Sequence, residues 1–250
     1  MLKLIFLIVM GFIAAVIDAI AGGSGLITIP AYMIAGLPPH LLLGTNKFAA
    51  FMGTAVSAGT YAKNDKIKWD LVLKLVPFSF LGAFFGVKTV LRIDPTILQP
   101  LIVIILIAVG IYTMVKPSIG EIDKYNGYNK KTLIYGMVFA FLLGFYDGFF
   151  GPGTGSFIIF GLVSIFGMNF VNASANSKIL NLGSNIMSFI LFMINGNIDY
   201  KIGILVGISM IAGAIVGSRM AIEKGNKLVK PIFIIMAIAA AVKVLRDTLI

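Results

Sequence analysis

Four charged residues stand where charge is least expected. Asp18 and Asp147 each lie inside an apolar run, one helical turn before a glycine-rich break: Gly22-Gly23-Ser24-Gly25 and Gly151-Pro152-Gly153-Thr154-Gly155. Lys47 and Lys178 sit early in two long apolar segments, within the polar clusters Gly44-Thr45-Asn46-Lys47 and Ser174-Ala175-Asn176-Ser177-Lys178. A carboxylate at the centre of a membrane helix costs about 2.5–3.5 kcal/mol on insertion scales. Each aspartate therefore reads either as the lining of a pathway, able to carry a proton, or as a brace for the adjacent break. A lysine at that depth calls for an anion, which is either a substrate or a carboxylate such as Asp18 or Asp147. The plainer alternative is that it snorkels to the interface.

The breaks have chemistry of their own. A helix that starts just after one points free backbone N–H groups and a positive dipole end back at it. Glycine allows close approach of a ligand or another chain, and Ser24 and Thr154 add hydroxyls. Two such starts make an anion site near the bilayer midplane; the structural alternative is a tight turn that needs positive φ. Neither break is followed by Gly-Lys-Ser/Thr, which excludes a nucleotide-binding P-loop. Lys178, Asn181 and Asn185 lie at i, i+3 and i+7, on one helix face, where the first half has Lys47, Ala50 and Thr54. The candidate substrate-binding set is thus Gly22, Gly23, Ser24, Gly25, Thr45, Asn46, Lys47, Gly151, Gly153, Thr154, Gly155, Asn176, Ser177, Lys178 and Asn181. Asp18 and Asp147 are the coupling or structural carboxylates.

The elements that must position these residues are membrane helices. Of 250 residues, 59% are hydrophobic and only 12% charged, against about 25% charged in a soluble domain. Apolar segments run over Leu2–Ala21, Leu37–Tyr61, Trp69–Val90, Ile97–Val115, Thr132–Phe150, Asn169–Ile194, Tyr200–Ala221 and Leu228–Leu245. Each approaches the roughly 20 residues that cross a 30 Å hydrocarbon core. Leu26–Gly36 and Ser156–Phe166 are too short to cross alone.

The order of segments recurs. At a lag of 131 residues Lys47 meets Lys178, Asn64 meets Asn195, and Gly82-Ala83-x-x-Gly86 meets Gly213-Ala214-x-x-Gly217, with eleven identities between 47–113 and 178–244. At a lag of 129, Asp18 meets Asp147 and Gly22 meets Gly151. We read a duplication: residues 1–115 form a first transmembrane repeat, 116–131 a polar linker, and 132–250 a second repeat. The fold class is an all-α polytopic bundle, each half having a Gly-broken helix, a short half-helix and three further helices. If each break is a re-entrant hairpin, the halves are inverted and the basic connections Lys63–Lys68, Lys116–Lys131 and Arg219–Lys230 share one side, the cytoplasmic one. If each half crosses four times, the halves are parallel. The GxxxG motifs are expected to pack the halves together rather than to dimerise two chains.

Other totals narrow the functions. The net charge of +10 lies mainly in short connections, where it orients the chain against anionic lipid rather than nucleic acid. There is no cysteine and a single histidine, His40, so thiolate, Fe–S and His-rich metal sites are not expected, and no cofactor is. Asp18 argues against reading the first segment as a cleaved signal peptide.

These residues resemble a known family. Gly11 before the Gly22–Gly25 break, Ile29-Pro30, Gly36-Leu37-Pro38-Pro39, Gly44-Thr45-Asn46, the Lys63–Trp69 loop and Gly82-x-x-x-Gly86 look like the sulfite exporter TauE/SafE family of membrane permeases. Gly151-x-Gly153-Thr154-Gly155 and Asn176-Ser177-Lys178 fit as well. The resemblance implies a plasma-membrane, multi-pass transporter of small anions, often sulfur oxyanions or organosulfonates. Ser24, where glycine is frequent, and Lys47 depart from the commonest pattern. The expected activity is secondary transport by alternating access of the two halves, without enzymatic chemistry. The rival readings are an anion channel, an intramembrane acid/base enzyme using Asp18 and Asp147, and a scaffold without a polar cavity. The expected partners are the anion and membrane lipids, with a homo-oligomer left open.

Overall fold

The computed structural model describes residues 2–94, 96, 97, 122–225 and 227. The expected segment Leu228–Leu245 and all of Ile97–Val115 beyond its first residue lie outside the described residues. Eight helices are described: α1 (Leu2–Ala21), α2 (Gly25–Ala35), α3 (Pro39–Lys63), α4 (Trp69–Val90), α5 (Lys130–Phe149), α6 (Thr154–Phe166), α7 (Phe170–Ile194) and α8 (Tyr200–Lys224). The described residues contain no strand. By length and composition α1, α4, α5, α7 and α8 can each cross a membrane. α3 has the length, at 25 residues, but its polar positions, Thr45, Asn46, Lys47 and Thr54 among them, are buried inside the bundle. This is a multi-pass membrane protein.

Local chemistry sets the boundaries. Asn129 and Thr132 form a reciprocal capping box at the start of α5, and the Asn169 and Asp199 side chains accept from the Asn172 and Ile202 amides at the starts of α7 and α8. Such caps satisfy donors that the helix cannot. Pro39 opens α3, where its missing N–H costs nothing.

The chain reverses at both breaks. Lys3, at the start of α1, donates to the Ala35 carbonyl at the end of α2 (3.3 Å). Gly136, early in α5, lies against the Phe166 ring at the end of α6. Each short helix therefore returns towards the start of the helix before it. α1 and α5 start at opposite ends of the bundle. The first end also holds His40 against the Val90 carbonyl and Asp199 against Thr45. The other holds the link between Asn176 and the Lys68 amide and the bond from the Lys124 amide to the Gly167 carbonyl.

Small residues set the closest helix contacts, and these are made within one chain. α4 packs on α5 and α8 on α1. A Cβ on Gly82 would lie 2.1 Å from the Phe141 carbonyl oxygen, and one on Gly144 would lie 2.1 Å from that of Ser79. On the other pair, a Cβ on Gly217 would lie 2.3 Å from the Val16 carbonyl oxygen. Backbone against backbone cannot yield as a side chain does, so the GxxxG motifs act between elements of the same chain. Gly82→Ile is accordingly expected to separate α4 from α5 and to lower the melting temperature of the purified protein sharply. Gly59→Ala, where a Cβ meets open space, is the control expected to leave it unchanged.

Candidate functional site

The two breaks meet in backbone contact. Gly22 adopts φ 78°, and a Cβ there would lie 2.3 Å from the Ser156 amide nitrogen, so glycine is required both for the turn and for the approach. The Ser156 hydroxyl donates to the Ala21 carbonyl (2.9 Å) and so ties the start of α6 to the end of α1.

Around this junction the four buried charges form two ion pairs. Lys47 Nζ lies 2.8 Å from Asp147 Oδ1, and Lys178 Nζ lies 2.8 Å from Asp18 Oδ2. Both pairs run crosswise: the lysine on α3 meets the carboxylate on α5, and the lysine on α7 meets the carboxylate on α1. The lysines are 3% and 0% exposed, which rules out snorkelling to the interface. The remaining carboxylate oxygens are also satisfied. Asp18 Oδ1 accepts from the Ser24 amide (3.2 Å), and Asp147 Oδ2 accepts from the Ser184 hydroxyl (2.6 Å). Buried ion pairs persist only when such additional bonds accompany them.

The surroundings of the two lysines differ. Lys178 donates to the Asp18 main-chain carbonyl as well as to its carboxylate and lines no part of the adjoining cavity. Lys47 does line it, and its other contact, Asn185 Oδ1 at 3.4 Å, is at the outer limit of a hydrogen bond. The cavity measures about 20 Å³, room for a water or two. Its wall brings together Asp18, Asp147, Lys47, Asn46 and Asn181 with Gly23, Ser24, Gly25, Gly151 and Gly155 from the breaks. Ala50, Thr54 and Asn185 complete it.

Several expected contacts lie elsewhere. Gly22 is consumed by the contact with Ser156, and Gly153 is the left-handed residue that caps α6. The Thr154 hydroxyl donates to the Gly151 carbonyl (2.8 Å), and the Ser177 hydroxyl to that of Ser174 (2.7 Å). Thr45 Oγ1 accepts from the Asp199 amide (2.9 Å) and anchors the start of α8. Asn176 accepts from the Lys68 amide (2.7 Å) and donates to the Lys66 and Asn172 carbonyls. It stitches the α3–α4 connection to α7, because a buried amide binds the nearest loose backbone groups.

Two participants were not singled out from the sequence. Ser184 holds Asp147, and the Thr28 hydroxyl donates to Asn46 Oδ1 (2.6 Å). Ser184 had a signal: with Ser174, Ser177, Asn181 and Ser188 it forms a polar stripe along an apolar helix. Thr28, a lone threonine in a short apolar helix, had none.

A multi-pass helical membrane protein, with two chain-reversing breaks that meet at a charge-paired polar centre, is the class that fold and site define. Within that class the particular family is established by comparison: the chain belongs to the family described as sulfite exporter TauE/SafE, whose model matches residues 7–244. The chain is 39% identical to a probable membrane transporter protein, ORF9, of a Sinorhizobium species, over 98% of this chain and 93% of that one. It is also 39% identical to a probable membrane transporter protein of Haemophilus influenzae, over 98% and 95%. With the probable membrane transporter protein YfcA of Escherichia coli K12 the identity is 36%, over 99% and 91%. No solved structure matches.

Proposed function

We propose that the chain is a secondary transporter of a small anion in the plasma membrane, working by alternating access of its two halves around the cavity at the breaks, which widens from its present room for a water or two to admit the anion. The observation that carries the reading is Lys47, a buried cation on the wall of a polar cavity where two helix starts also converge. Helix starts and a lysine together form a field suited to negative charge. The inverted directions of α1 and α5 give each half its own hairpin, the arrangement that lets one half rock against the other. The family's name and the oxygen-binding character of backbone N–H groups favour a sulfur oxyanion or organosulfonate. Both carboxylates are held by lysines, which favours transport over acid/base chemistry. The end holding Lys63–Lys68 and the described part of the linker is cytoplasmic on the positive-inside rule.

The test is a thermal-shift screen of the purified protein against small anions, including sulfite, sulfate, sulfonates, nitrate and carboxylates. A binding anion stabilises by mass action; a sulfur oxyanion or sulfonate should raise the melting temperature in a saturable way. A shift confined to carboxylates would redirect the substrate class, and no shift with any anion would contradict the reading.

A further inference from the structure

We propose that the cavity takes its anion together with a proton: Lys47 binds the anion, and Asp147 accepts the proton that frees Lys47 to do so. This rests on the anion-transport reading and names its coupling ion.

The buried centre holds Asp18, Asp147, Lys47 and Lys178, whose formal charges sum to zero. An anion arriving alone would leave an unpaired negative charge among side chains that are 0–6% exposed, a penalised state. An accompanying positive charge removes the penalty. In the step proposed, a proton from water binds Asp147 Oδ1 and the Lys47–Asp147 ion pair becomes a Lys47–anion pair beside a neutral carboxyl. The centre remains at zero net charge throughout. One proton and one monovalent anion enter from one side and leave together to the other.

Geometry selects this pair over its counterpart. Neutralising Asp18 would present no cation to the cavity, because Lys178 is fully buried, does not line it, and is also held by the Asp18 main-chain carbonyl. Lys47 lines the cavity, and once Asp147 is neutral it keeps only the 3.4 Å contact with Asn185. The neutral carboxyl would still be supported, since the Ser184 hydroxyl donates to its other oxygen. Asn181 Oδ1 is buried on the same cavity wall with no hydrogen-bond partner among the described residues. A water, a carboxylic O–H or a protonated ligand can satisfy that acceptor; a bare anion cannot.

Among the described residues Asp147 faces a single cation. From α3 it faces Lys47, from α7 Ser184 and the uncharged Asn185, and from α1 Asp18 on the shared cavity. Lys178, also on α7, is occupied by Asp18. α6 contains no charged residue, and the charged residues of α4 (Asp70, Lys74 and Lys88) are exposed. On its own helix the neighbouring Tyr146 hydroxyl donates to the Pro152 carbonyl (2.6 Å).

The test measures binding of methanesulfonate, nitrate and chloride, whose charges are fixed across about pH 5–8, to wild type and Asp147→Asn. One proton taken up per anion makes wild-type Kd fall about tenfold per pH unit on acidification while Asp147 is ionised. Asp147→Asn should bind the same anion with a Kd that does not vary with pH. Should that variant not fold, wild type alone decides: mixed with the anion in weak buffer, it should take up one proton per anion bound, read with a pH dye. Binding that is independent of pH, that depends equally on pH in Asp147→Asn, or that requires sodium instead would overturn the proposal and leave the anion reading standing. If none of the three anions binds at any pH but sulfite or another screened anion does, the dye measurement is made with that anion at a pH where its own charge is fixed. Absence of all anion binding would overturn both.

Discussion

Lys178→Met should destabilise the protein by about 3–5 kcal/mol, and adding Asp18→Asn should restore most of the loss. The single substitution leaves the Asp18 carboxylate in a site almost without water, with only the Ser24 amide donating to it at 3.2 Å. Removing both charges leaves no buried charge unpaired, and Met fills much of the lysine stem's volume. The measurement is a double-mutant cycle on thermal or denaturant unfolding of the purified protein. An interaction energy near zero would mean that the Lys178–Asp18 pair does not stabilise the packing of α7 on α1. The same reasoning makes Lys178→Ala a poor probe of substrate binding on its own, since lost transport would follow from lost structure.

The second large effect concerns Lys47. Converting the Lys47–Asp147 pair to a neutral, nearly isosteric one with Lys47→Gln and Asp147→Asn removes the cavity's cation without leaving an orphaned charge. We expect the double variant to melt within a few degrees of wild type and to lose anion transport by at least about a hundredfold, the scale of a lost charged contact worth roughly 3 kcal/mol. The combination matters. Loss of transport with the fold retained assigns Lys47 to the anion, whereas loss of both would assign it to structure.

The helices were legible because a bilayer imposes a simple rule. Leu2–Ala21 and Trp69–Val90 are read from apolarity with the same ends the structure has, and the other described segments shift by a few residues where caps such as Asn129 and Pro39 act. The four buried charges were legible for the same reason: charge is costly in lipid, so Asp18, Lys47, Asp147 and Lys178 stand out of the pattern. Their partners were not legible. Sequence proximity groups Asp18 with Lys47 and Asp147 with Lys178, whereas the fold pairs them crosswise. That exchange is set by the contacts of α1 with α8 and α4 with α5, which no local spacing encodes. Polar residues beside the lysines were harder still. Asn176 and Thr45 resemble ligand contacts in sequence, yet loose backbone groups at Lys68 and Asp199 claim them first. Whether such a side chain faces a cavity or a neighbouring loop depends on the packing of a different helix.

Anion transport in this proposal turns on Lys47, at the junction of the two breaks. Its most direct test is uptake of a labelled sulfur oxyanion or sulfonate, chosen from those that bind, into proteoliposomes. Wild type is compared with the folded Lys47→Gln/Asp147→Asn variant. Wild type should show saturable uptake, at rates set by a conformational cycle, and the variant none above empty liposomes. Undiminished uptake by the variant would contradict this role of Lys47.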